Sequence, residues 1–254
     1  TMVRGTDLNP APETLARIRG DMGIPIISAY FDTTDAYAID WIDRYAPAVD
    51  LNVIVDCYSN YAANGAYPDK FLPTWTPQDP DLYRPGDGAR PIDVSFLGSA
   101  RAYPGRKLAL GMLAEAGIAV RQGGGQIEGG LAPEDYACIF RQSKITINFA
   151  APALDGPGYQ CKGRVIEATL SGALLMEEAN PETEKWLTSG VHYAAFTGER
   201  DLVAKVRHYL ADEEARTEIA AAGAAHARAN YTAAAFWRLV LARALPALEW
   251  EVSA

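Results

Sequence analysis

Short apolar runs alternate with stretches of helical period along the whole chain, and this alternation constrains the fold more than any other feature. The runs are Ile24 to Phe31, Leu51 to Cys57, Val94 to Gly98, Ile118 to Arg121, Ile145 to Phe149 and Ala173 to Met176. Strands separated by helices pair in parallel and are covered on both faces. The expected class is therefore α/β, built as two Rossmann-like parallel-sheet lobes. A chain of 254 residues that is 49% hydrophobic and 22% charged has enough apolar surface to fill both. Between the second and third runs, Leu72 to Gly88 is dense in Pro, Asp and Gly and predicts no regular structure. The expected division is a first lobe over 1–75, a linker over 76–92, a second lobe over 93–232 and a last helix over 233–250. That helix carries Phe236, Trp237, Val240, Leu241 and Ala244 at helical spacing, with Pro246 marking its end.

The stretch from Arg164 to Glu178 is the most informative single segment. Val165, Ile166, Thr169 and Leu170 recur at helical spacing, Ser171 and Gly172 end the helix, and Ala173 to Met176 read as a buried strand. Glu167 is expected in the first turn of that helix, where free N–H groups and the positive dipole end gather anionic ligands. A carboxylate there can accept hydrogen bonds from the vicinal hydroxyls of a ribose. An ordinary helix glutamate is the competing reading. Just ahead, Lys162 and Arg164 supply two cations that suit a pyrophosphate, or else a solvated basic loop.

Other candidates sit where the strands end, which is where open α/β sheets bind ligands. Gly98 and Ser99 follow a strand and precede a helix from about Gly105, a turn that can form a nest of N–H groups, with Arg101 or Arg106 adding charge. Gly123 and Gly124 lie in Arg121 to Gly125, where glycines let a ligand approach the backbone or simply let the loop turn. Asn148, Ala150 and Asp155 extend the fifth run to the same edge. In the first lobe Asp32 follows a strand and is a candidate for the acceptor site or catalytic base, while Asp35 reads as a helix cap.

Composition removes several classes. The net charge of −9 and the absence of any Lys/Arg run longer than two argue against nucleic acid. No apolar segment approaches the roughly 20 residues of a membrane span, and no signal peptide opens the sequence, so a cytoplasmic location is expected. Cys57, Cys138 and Cys161 are odd in number and widely spaced, which fits reduced, mostly buried thiols. His192, His208 and His226 lack a neighbouring nucleophile motif and read as structural. Asp79 and Asp81 fall in the linker and not after a strand, so chemistry without a metal is expected, and no cofactor is called for.

The order of segments from Asp93 to about Leu245, through Glu182 to Trp186, Gly190 to Phe196, Asp201 to Asp212 and Arg216 to Gly223, resembles the C-terminal domain of group 1 glycosyltransferases of the GT-B fold, in the branch of spore-maturation-type enzymes. The resemblance implies that Glu167 holds the ribose of a nucleotide diphospho-sugar donor and that the preceding Gly-rich loop, with Gly158, faces the phosphates or sugar. It places Gly123 and Gly124 beside the base and sends the last helix back to the first lobe. It also implies transfer across an interdomain cleft to a glycan, lipid or protein acceptor, with retention of configuration. Many relatives carry a second glutamate eight positions before the ribose glutamate. Here that position is Tyr159, and Asp155 is the candidate to take the role.

A non-catalytic binding or assembly module and an epimerase-like or phosphorylase-like enzyme are the alternatives on this architecture. The first lobe offers two strand runs, a poor independent sheet. The expectation is thus a fragment of a longer polypeptide, or a lobe completed by a partner or by self-association, that transfers sugar weakly or not at all.

Overall fold

A computed structural model describes residues 9–34, 36–101, 103–124, 130–151 and 158–245. The chain forms two compact units, one taking the chain up to Trp75 together with the chain from Ala234 onward, the other Thr76–Ala233. No described helix is long and apolar enough to cross a membrane.

The first unit holds a three-stranded parallel sheet in the order β1-β2-β3, with β1 Ile27–Tyr30, β2 Leu51–Ile54 and β3 Phe71–Pro73. Around it lie α1 Pro12–Met22, α2 Ala36–Tyr45 and α3 Tyr58–Asn64. The central β2 is buried at every position, and its Ile54 packs with Tyr30, Ile39, Ile42, Tyr61 and Phe71. Two expectations are corrected here. The first run is shorter than Ile24 to Phe31, because Gly23 closes α1 in the left-handed region and Pro25 has no N–H to pair; Ile24 and Phe31 are exposed. The composition of the segment from Leu72 predicts irregular structure, yet Leu72 and Pro73 belong to a third strand. A proline is tolerated there because β3 is an edge strand and Pro73 its last residue. The final helix, α9 Ala233–Ala244, buries Phe236 and Val240, and Phe236 meets Trp75 edge to face at 6.2 Å.

The second unit is a five-stranded parallel sheet in the order β5-β4-β6-β7-β8. Its strands are β4 Ile92–Leu97, β5 Val120–Gly123, β6 Ser143–Asn148, β7 Leu174–Glu178 and β8 Ala194–Phe196. The helices are α4 Pro104–Glu115, α5 Pro133–Gln142, α6 Gly163–Leu170, α7 Gly198–Ala211 and α8 Glu213–Asn230. Val94, Phe96, Ile145, Ile147, Leu174 and Met176 from the strands meet Leu113, Leu202 and Val206 from the helices in one core. Cover on both faces buries Ser95, Thr146 and Asn148 along with the apolar residues of β4 and β6. Gly172, at φ 69, makes the turn between α6 and β7 as its sequence position suggests.

Candidate functional site

From β4 the chain winds to β5 on one side of the sheet and then returns to β6 on the other. Loops leaving β4 and β6 therefore diverge, and open α/β sheets bind ligands in the crevice this creates beyond the strand ends. Here those loops begin with Gly98 to Arg101 and with the backbone of Phe149 to Ala151.

Cations gather at this point from two helices. Arg106, in the first turn of α4, is buried and lies 3.4 Å over the Tyr103 ring. Its Nη1 donates to Ser99 O at 2.8 Å and its Nη2 to Ala151 O at 3.2 Å. Lys162, at the cap of α6, donates from Nζ to the same Ala151 O at 2.8 Å and to Ala150 O at 3.2 Å. Arg164, two residues on, donates from Nε to Asn148 Oδ1 at 3.0 Å. Burial, then Arg164, lowers the Arg106 pKa to about 10. Burial, then Arg106 and Arg164, lowers Lys162 to about 7, against the partial relief of Glu177 and Glu178. Positive charge is thus packed more densely than its surroundings offset, and buried Arg106 Nε has no hydrogen-bond partner among the described residues. The α6 N-terminus also lacks a side-chain cap, so its first N–H groups add to the same field. Such an arrangement can receive an anion.

Glu167 lies three residues after Arg164 and so shares its helix face. It is the fifth residue of α6, in the second turn and not the first, because the helix already begins at Gly163. Partners outside its own helix hold it: Gln78 Nε2 donates to Oε1 at 3.0 Å and the Tyr136 hydroxyl to Oε2 at 3.2 Å. Burial raises its pKa, while Arg164, Tyr136 and Gln78 pull it back. Each oxygen keeps capacity for a further donor. Glycines make the approach possible. A Cβ on Gly163 would come 3.1 Å from Gln78 Nε2, one on Gly98 would come 3.2 Å from Arg164 Cζ, and one on Gly124, at φ 70, would come 3.1 Å from the Tyr136 ring.

Behind the cations stand two carboxylates at the end of β7. Glu178 Oε2 accepts the Ala150 N–H at 2.9 Å and, with Tyr103, Arg106, Phe149 and Phe196, lines a cavity of about 60 Å³. Glu177 is fully buried and accepts from Asn148 Nδ2 at 2.7 Å.

Residues 92–242, more than half of the chain, match the glycosyl transferase-like family. The chain belongs to that family. No curated protein matches the sequence. Among solved structures it is similar to Anabaena HepE in complex with UDP and glucose, at TM-score 0.67 and 14% identity over 93% of this chain and 76% of that one. A glycosyltransferase from Rickettsia africae gives 0.64 and 11% over 95% and 83%. The pneumococcal O-GlcNAc transferase GtfA, in complex with UDP and GlcNAc, gives 0.55 and 16% over 82% and 48%. The fold class is GT-B-like, with parallel sheets of three and five strands.

Within this glycosyl transferase-like chain, the structure brings together Gly98, Ser99, Arg106, Gly124, Lys162, Arg164 and Glu167. Gly123 is buried as the last residue of β5, where its carbonyl accepts the Gly98 N–H at 2.8 Å, so it supports the turn from behind. Arg101 is exposed, its N–H bonded to Ser99 Oγ at 3.2 Å, and takes no part in the bonds above. Gly158, at φ 103, and Tyr159 are exposed. Asp155 and Asp35 lie outside the described residues. Asp32 has φ 55, a left-handed backbone that few residues other than glycine adopt but that aspartate adopts more readily than most, and sits in the first unit. Its neighbour Thr33 is pinned by buried Asp56, which accepts from Thr33 N at 3.2 Å and Thr33 Oγ1 at 2.9 Å. Asp79 Oδ1 accepts from Asp81 N at 2.8 Å and so makes a turn. His192, in the segment before β8, and His226, on α8, stack at 4.1 Å.

Sequence reasoning missed Gln78, Tyr136, Glu177 and Glu178. The first lies in the segment read as linker, and the second on a helix with no motif. The acidic pair did carry a signal, since two carboxylates close an apolar run at the carboxyl edge of a strand.

Proposed function

We propose that this chain transfers a sugar from a nucleoside diphosphate sugar to an acceptor hydroxyl, without a metal ion. The observation that carries the reading is the convergence of Arg106, Lys162 and Arg164 at the β4/β6 crevice, with Glu167 one helical turn from Arg164. Three cations and the start of α6 would neutralise the diphosphate as the bond to the sugar breaks, the role a divalent ion otherwise plays. Glu167, with both oxygens already oriented, would accept the ribose hydroxyls. UDP bound to HepE and GtfA supports a uridine donor, and the family resemblance supports retention of configuration. Asp32, at positive φ after β1, is the proposed acceptor-side residue.

Thermal unfolding with UDP or UDP-glucose in the presence of EDTA tests the reading. A rise in Tm without any divalent ion is expected. Stabilisation that appears only with magnesium or manganese would overturn metal independence.

Tyr159 at the position of the relatives' second glutamate favours one rival, a chain that binds nucleotide and transfers nothing. Release of UDP from UDP-glucose over a panel of acceptors separates the two, since a pure binding module releases none.

A further inference from the structure

Glu177 is completely buried at the carboxyl end of β7, and the donor-site reading does not use it. Its Oε1 accepts from Asn180 Nδ2 at 3.0 Å and Thr183 Oγ1 at 3.2 Å, and its Oε2 from Asn148 Nδ2 at 2.7 Å. Burial raises the Glu177 pKa, while Asn180, Asn148, Lys162 and Thr183 favour its charged form; that ionised carboxylate can only accept hydrogen bonds, so the Asn148 amide turns its NH2 group toward Glu177. That fixes the other end of the amide. Asn148 Oδ1 faces Arg164 and accepts from Nε at 3.0 Å. A guanidinium has donors and no acceptor, so an amide turned the other way would set donors against donors and release the side chain.

We infer that Glu177 is a positioning residue for the diphosphate, acting through the Asn148 amide to hold the Arg164 guanidinium in place. The inference rests on the reading of Arg164 as a diphosphate ligand. Confinement from the opposite side supports it. A Cβ on Gly98 would lie 3.2 Å from Arg164 Cζ and 3.3 Å from Nη1, so the guanidinium is held between the β4 turn and Asn148. Charge supports it as well, since Glu177 is a counter-charge for Lys162 and therefore serves two of the three cations. The arrangement is a chain of three side chains from β7, β6 and α6 that ends at the Arg164 guanidinium. Fixing the last member in advance reduces the entropy lost when the diphosphate binds.

Calorimetric titration of UDP and of uridine into wild type, Glu177→Gln, Asn148→Ala, Arg164→Ala and the Glu177→Gln/Arg164→Ala double variant tests it. Glutamine matches glutamate in shape and can present an NH2 to Asn148, which allows the amide to reverse. UDP affinity is expected to fall about tenfold in Glu177→Gln, while uridine stays within about twofold. In the Arg164→Ala background Glu177→Gln should cost UDP nothing more, because the relay has lost its end. Equal losses for UDP and uridine, or a full additional loss in the double variant, would show a merely structural carboxylate and overturn the inference. If Glu177→Gln does not fold, Asn148→Ala carries the same expectation for UDP against uridine. A wild-type chain that binds none of the diphosphates of uridine, guanosine and thymidine fails the donor-site reading itself. UDP binding that Glu177→Gln leaves untouched fails this inference alone.

Discussion

The Tyr136 hydroxyl on α5 donates to Glu167 Oε2 on α6 at 3.2 Å, so the carboxylate assigned to the ribose is oriented by a helix other than its own. Tyr136→Phe is expected to weaken uridine binding by about 1 kcal/mol, and Glu167→Gln by about 1–3 kcal/mol. Calorimetry on both variants checks this. The two should be less than additive, because the hydroxyl acts only through the carboxylate.

Glu167 has a second, opposite consequence. Burial raises its folded pKa above the unfolded value, so its contribution to stability is present at acid pH and is lost as pH rises through the folded pKa. In its ionised form Glu167 is a desolvated charge in the unliganded protein. Glu167→Gln should melt above wild type without ligand and gain less from UDP. A variant that melts lower and binds UDP normally would make Glu167 a plain helix residue.

Lys162 titrates near neutrality, at about 7, because burial and then Arg106 and Arg164 disfavour its charge. A diphosphate favours the charged form, so binding should take up a proton above pH 7. UDP-glucose is the ligand to use, since its diphosphate does not titrate in this range. Its affinity is expected to fall as pH rises from 7 to 9, by at most about tenfold per unit. Binding heats in buffers of different ionisation enthalpy measure the uptake, which Lys162→Met should abolish. The unliganded protein follows the other sign. Its folded pKa lies below that of a free lysine, so on this group's account stability is lost as pH falls from the lysine range toward 7.

Gly98→Ala tests the cradle around Arg164. The new methyl group would meet the end of a flexible side chain and the Phe96 ring, each at 3.2 Å, so the fold can adjust while the guanidinium moves. UDP affinity should drop about tenfold with little change in Tm. A large loss of Tm at unchanged affinity would contradict the placement of Arg164.

Gly223→Ala separates helix propensity from packing. Gly223 lies within α8, where alanine would gain about 1 kcal/mol. Its Cβ, however, would overlap the His192 carbonyl oxygen and press on Thr169 Cγ2 at 3.1 Å. Backbone cannot move aside cheaply, and overpacking of this kind costs about 1–3 kcal/mol or more. The expected outcome by urea unfolding is net destabilisation.

The local part of this architecture was legible in the sequence. Apolar-rich runs bounded by turn residues marked both lobes, because strands covered on two faces are buried along most of their length. Helical spacing around Val165, Ile166, Thr169 and Leu170 placed Glu167 on α6, and Lys162 and Arg164 stood beside it in the chain. Edge strand β3 was hidden by Pro73, which is compatible with pairing only when a sheet offers it an edge position.

Tertiary structure decided what those residues face. Gln78 and Tyr136 reach Glu167 from 89 and 31 positions away, and Glu177 reaches Arg164 only through Asn148, so no local pattern could show these contacts. Strand order decided the rest. By setting β4 beside β6, the sheet brought the Arg106 and Lys162 side chains to one carbonyl oxygen, and burial there moved their pKa values. Sequence fixes which groups carry charge, but desolvation and the distance between charges exist only once the chain has folded.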